Sequence, residues 1–102
     1  MSLGGSGTCG ATYQNAINGA VARGTTVVVA AGNSNANASG YQPASCTSTV
    51  VVASSDREGN RASYSNYGTI IDLTAPGGET ATQANGVLST LNSGTTTPTT
   101  ES

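Results

Sequence analysis

The rhythm of apolar and polar positions changes several times along the 102-residue chain. Tyr13, Ala16, Ile17, Ala20 and Val21 recur at spacings of three and four, the period of one helix face, and predict an amphipathic helix over about residues 11–23. Gly24 stands where a left-handed residue commonly stops a helix. From Thr25 to Ala31 the pattern becomes a β-branched and apolar run without alternation, which suits a strand covered on both faces in a parallel sheet. Gly32 and Asn33 end that run, and residues 33–46 form a small, polar loop too long to be idle in a compact domain. Thr49 to Ala53 predicts a second buried strand, followed by a turn through Asp56 to Asn60. Thr69 to Thr74 predicts a third strand, Ala75 to Gly78 a turn, and Val87 to Leu91 a fourth strand. The Thr-, Ser- and Pro-rich stretch 92–102 has no period and is expected to be a mobile tail, which leaves the organised part of the chain at 1–91.

This succession predicts an α/β fold with a mostly parallel sheet, one covering helix and a hairpin-like segment near the carboxyl end. One helix covers one face of such a sheet, so the other face is expected to need further chain.

Composition narrows the chemistry. Apolar residues make up 35 % of the chain and the only aromatics are four Tyr, so the core must come from Val, Ile, Leu and Ala. Lys is absent, and Arg23, Arg57 and Arg61 face Asp56, Glu58, Asp72, Glu79 and Glu101 for a net charge of −2. That balance excludes a phosphate-neutralising nucleic-acid surface and a polybasic membrane patch. The longest apolar run, Val27 to Ala31, is far too short to span a bilayer, and the first residues have neither the basic nor the apolar stretch of a signal peptide.

Two cysteines, Cys9 and Cys46, in a Lys-free, Thr-rich chain of extracellular character favour a disulfide over two reduced thiols. The chain has no His, which removes a thiolate and imidazole zinc site and any complete Ser/His or Cys/His catalytic unit within these residues.

Three short motifs invite a functional reading. Gly5-Ser6-Gly7-Thr8-Cys9-Gly10 has the dinucleotide-binding spacing and opens a helix, but no strand precedes it and no carboxylate follows before Asp56, so the match is a chance one. Asn37-Ala38-Ser39 is a glycosylation sequon of a kind that arises often by chance. Ala30-Ala31-Gly32-Asn33 closes a buried strand at its carboxyl end, where α/β sheets gather functional groups. Gly-Asn there is most often a turn, and it also reads as a fixed carboxamide able to stabilise a developing oxyanion; the local pattern leaves both open.

The order of five segments bears on that choice. Met1-Ser2-Leu3-Gly4-Gly5, Ala30-Ala31-Gly32-Asn33, Tyr41-Gln42-Pro43-Ala44-Ser45, Arg61-Ala62-Ser63-Tyr64-Ser65-Asn66-Tyr67-Gly68 and Asp72-Leu73-Thr74-Ala75-Pro76-Gly77 resemble consecutive signatures of the subtilisin-like serine proteases, in the family's order and with similar spacings. The resemblance covers residues 1 to about 91 and implies a partial subtilisin-like fold. It implies a segment of a secreted endopeptidase that cleaves peptide bonds by Asp/His/Ser acyl transfer, with Met1 internal to a longer chain. The triad positions have no counterpart among these residues, so the segment is expected to be inactive alone and to need the rest of the catalytic domain as its partner.

Carried over residue by residue, the resemblance makes Asn33 the side-chain oxyanion donor. It makes Ser2, Leu3 and Gly4 the edge that pairs with an extended peptide or protein substrate, Ala30, Ala31 and Gly32 the opposite wall of the specificity pocket, and the loop near Gly40 and Tyr41 its floor. It implies a structural calcium held by the Asp72 carboxylate and the Thr47 and Thr49 carbonyls, and a cis bond between Gln42 and Pro43. Two other readings of the same sequence are a non-catalytic extracellular Thr/Ser/Gly-rich binding module and a truncated protease homologue.

Overall fold

The computed structural model describes residues 1–79, 86–92 and 98–101. In chain order it places β1 (Gly5–Ser6), α1 (Ala11–Ala22), β2 (Val28–Ala30), a short 3-10 turn (Ala38–Gly40), β3 (Tyr41–Gln42), β4 (Val50–Ser55), β5 (Leu73–Pro76), β6 (Ser89–Asn92) and β7 (Pro98–Glu101). The fold is mixed α/β: β2, β4 and β5 form a parallel sheet in that order, while β1 with β3 and β6 with β7 form antiparallel pairs.

Helix α1 ends as its sequence requires. Gly24 adopts φ +90°, a conformation that costs glycine little, and its N–H donates to the Val21 carbonyl at 2.9 Å. Of the predicted apolar face only Ile17 is buried, so apolar burial anchors α1 at one point along its length.

In the sheet, Val28, Val29 and Ala30 lie beside Val50, Val51 and Val52, and Val52 to Ser55 lie beside Leu73 to Pro76. The continuous apolar runs predict strands buried on both faces, whereas the structure buries one. Val29, Val51 and Ala53 are enclosed with Ala31, Ala38 and Ala44, and Val27, Ile70 and Ile71 pack against them. Val28 and Leu73 are 46 % and 48 % exposed. The residues of this segment cover a single face, and the second stays open.

Two elements depart from the predicted positions. Ile70 and Ile71 are not in the third strand: Ile71 N–H bonds to the Gly68 carbonyl in a turn, and pairing with β4 begins at Leu73. Both side chains contact the core from that turn, which is why an apolar β-branched pair there mimics a strand. Near the carboxyl end, Ser89–Asn92 pairs with Pro98–Glu101, inside the stretch expected to be an aperiodic tail. Backbone pairing of Thr-rich strands needs no apolar period, so a search for period misses it. Residues 93–97 and 102 of that stretch lie outside the described residues.

Candidate active site

The site is built where β2 ends. Met1 lies against the edge of β2: its nitrogen donates to the Val28 carbonyl, and its carbonyl accepts from Ala30 N–H at 3.0 Å. That pairing sets Ser2, Leu3 and Gly4 alongside Ala30, Ala31 and Gly32. Between them opens a cleft of about 510 Å³, and Asn33, Tyr41, Gln42 and Ala44 are also among its lining. Among the described residues no charged side chain lines it.

All of Ser2, Leu3, Gly4, Ala30, Ala31, Gly32, Asn33 and Tyr41 therefore share one cleft. Gly40 lies outside its lining and instead accepts the Gly7 N–H at 2.8 Å, which anchors the start of β3 against the glycine-rich loop. The close approach of the walls depends on glycine: a Cβ on Gly4 would stand 3.0 Å from the Gln42 carbonyl oxygen.

The Tyr41–Cys46 segment is fixed from several sides. Cys9 and Cys46 form a disulfide across a sequence separation of 37, and the Gln42–Pro43 peptide bond is cis. Gln42, which sequence reasoning left without a part, lines the cleft and accepts the Gly10 N–H through Oε1 at 3.2 Å.

Asn33 sits on an exposed loop, and the segment 64–67 forms the bed beneath that loop. Backbone hydrogen bonds join Asn66 N–H to Gly32 O, Asn35 N–H to Tyr64 O, Tyr67 N–H to Ala36 O and Ala38 N–H to Tyr67 O, at 2.7–3.0 Å. Arg61 ties the two together at the edge. Its Nη1 donates to Asn35 Oδ1 at 2.8 Å and to the Ser65 carbonyl at 2.7 Å, and its guanidinium lies 5.0 Å from the Tyr67 ring centroid. The side chain of Asn66 is fully buried under the loop, with bonds to Ala31, Ser34 and Ala36. No local pattern in the sequence singles out this residue, because its partners lie thirty or more positions away.

The sequence model of the subtilase family, peptidase S8, matches residues 1–102. The chain belongs to the subtilase family. Among subtilase relatives, an extracellular protease of Xanthomonas campestris pv. campestris is 60 % identical over 98 residues, which are 96 % of this chain and 16 % of that protein. Subtilisin-like protease 2 of Pseudogymnoascus destructans is 47 % identical over 77 residues, 76 % of this chain and 19 % of that protein. A solved protease of Pseudoalteromonas arctica superposes with a TM-score of 0.94 at 52 % identity, covering 99 % of this chain and 31 % of that one. This chain thus spans less than a third of each of these subtilases.

The oxygens expected to hold calcium lie away from the cleft lining. Asp72 Oδ2 accepts Val51 N–H at 2.8 Å, and Asp72 N–H donates to Val51 O at 2.9 Å, which fastens the carboxylate two residues beyond Thr49. The Thr47 carbonyl accepts from Gln14 Nε2 at 3.1 Å. These are hard oxygens, one of them anionic, and they suit calcium, which takes about six to eight oxygen ligands and fills gaps with water. Among the described residues no three of His, Cys, Asp and Glu gather, so carbonyls and water would supply most of the shell.

Proposed function

We propose that this chain is the segment of a secreted subtilisin-like endopeptidase that carries the substrate cleft and the side-chain oxyanion donor. The observation that supports it most is the placement of Asn33 at the carboxyl end of β2, on the rim of a cleft whose opposite wall is Ser2–Gly4. In this reading an extended peptide adds to the Ser2–Gly4 edge through main-chain hydrogen bonds, as a strand added to a sheet. The substrate side chain enters between that edge and Ala30–Gly32, with Tyr41 shaping the far end.

The Asn33 carboxamide donates to the oxygen of the tetrahedral intermediate, where charge develops as the serine attacks. The nucleophile, its His base and the orienting Asp come from the remainder of the catalytic domain. This chain contains no His, so no serine within it has an imidazole to take its proton. Secretion accords with relatives named as extracellular proteases and with the disulfide. Among the described residues no helix is long and apolar enough to cross a membrane. Calcium, bound by Asp72, Thr47 and Thr49, has a structural part in this reading and takes no part in the chemistry.

The test is peptide hydrolysis by the full-length protein beside the purified 102-residue segment. The full-length protein should turn over substrate and lose activity to a serine-directed covalent inhibitor, while the segment shows no turnover. Absence of inhibitor-sensitive hydrolysis by the full-length protein would leave the binding-module reading in its place.

A further inference from the structure

Asn66 is 0 % exposed and satisfies both ends of its carboxamide within the loop that carries Asn33. Oδ1 accepts the N–H groups of Ser34 at 2.9 Å and Ala36 at 3.0 Å, and Nδ2 donates to the Ala31 carbonyl at 2.9 Å. Its backbone N–H adds a bond to the Gly32 carbonyl at 2.9 Å. These four bonds land on both sides of Asn33, whose own side chain stays exposed. Rotating the carboxamide by half a turn would set its NH₂ against two N–H donors and its oxygen against a carbonyl, so its orientation is fixed by its partners. The chain can pass this close because residue 32 is glycine: it holds φ +108°, and a Cβ there would stand 2.4 Å from Asn66 Nδ2.

We propose that Asn66 is a positioning residue for the reaction: it holds the backbone on either side of Asn33 so that the Asn33 carboxamide is pre-aimed at the oxyanion. The proposal rests on the reading of Asn33 as the oxyanion donor. Asn66 does not line the cleft and touches no substrate; it acts through Ala31, Gly32, Ser34 and Ala36. Stabilisation of a transition state depends on donors held at the right place before the charge appears, and a loop residue following a glycine at positive φ is not so held by its own backbone. A buried side chain with three satisfied bonds supplies that restraint.

The experiment is a double-mutant cycle in the full-length protease, with Asn33→Ala and Asn66→Ala made singly and together, reading kcat, KM and thermal midpoint. Asn66→Ser takes the place of Asn66→Ala if the latter does not fold. Asn66→Ala should lower kcat by roughly ten- to a hundredfold with KM changed by less than about threefold, since misplacing a catalytic group by an ångström costs on that order. In the Asn33→Ala background the same change should alter kcat by less than about threefold, because the group it positions is gone. Equal losses of kcat in both backgrounds would overturn the proposal while leaving Asn33 as the donor. Failure of both Asn66 variants to fold would also overturn it, assigning the residue to stability alone. An unchanged kcat for Asn33→Ala by itself would instead overturn the reading of Asn33, and the proposal with it.

Discussion

Gln14 grips Thr47 at two points: its Oε1 accepts the Thr47 N–H at 2.9 Å, and its Nε2 donates to the Thr47 carbonyl at 3.1 Å. The pair fastens the first turns of α1 to the residue that follows the disulfide, and Gln14 Nε2 also reaches Asn18 Oδ1 at 2.9 Å. With Ile17 the one buried residue of α1, these polar bonds hold much of the helix in place. Exposed hydrogen bonds contribute modestly, so Gln14→Ala should lower the unfolding free energy by about 1–2 kcal/mol in the full-length protein and leave kcat unchanged. Urea unfolding of the two proteins side by side checks this, and an unaltered midpoint would show the clamp to be idle.

The disulfide should contribute more. Cys9 and Cys46 close a loop with a sequence separation of 37, for which the chain-entropy model gives about 4 kcal/mol. The double variant Cys9→Ser with Cys46→Ser should therefore unfold at distinctly lower denaturant, while keeping its activity at low temperature. Alkylation of the native protein under non-reducing conditions should modify neither cysteine.

Gly32→Ala should be damaging out of proportion to one methyl group. The residue holds φ +108°, and the new carbon would need 2.4 Å to Asn66 Nδ2, so both the backbone and the buried carboxamide must shift. A loss of roughly 2–4 kcal/mol is expected from strain and overpacking together. By contrast, nothing lies within 4 Å of a Cβ placed on Gly40, and Gly40→Ala should be nearly neutral in the same unfolding assay.

Calcium should raise the thermal midpoint of the full-length protein, and a chelator should lower it. Asp72→Asn keeps an oxygen to accept the Val51 N–H but removes the charge, so it should abolish the calcium-dependent increment without lowering the calcium-free midpoint by more than about 1 kcal/mol equivalent. An increment that survives in Asp72→Asn would place the ion elsewhere.

Much of the scaffold is visible in the residues themselves, for local reasons. The spacing of Tyr13 to Val21 and the glycine at 24 define α1 to within a residue, because period and stop signal both act over one or two turns. The valines at 27–29 and 50–52 mark β2 and β4, since little else in the chain is as β-branched and apolar. Ile70 and Ile71 mislead because burial in a turn and burial in a strand demand the same side chains. The cleft residues become legible through a resemblance in the order of whole segments, as Ser2–Gly4 and Ala30–Asn33 are far apart in sequence and meet only in the fold. Asn66 stays hidden because a buried carboxamide is defined by its partners at 31, 34 and 36, and those are brought to it by the fold.

The central claim is that Asn33 stabilises the oxyanion, and steady-state kinetics of Asn33→Ala in the full-length protease test it most directly. Because the donor acts where charge develops, the substitution should lower kcat by roughly a hundred- to a thousandfold and leave KM within about threefold of the parent. A kcat equal to that of the parent, with any change confined to KM or to stability, would contradict the account and return Gly32-Asn33 to the role of a turn.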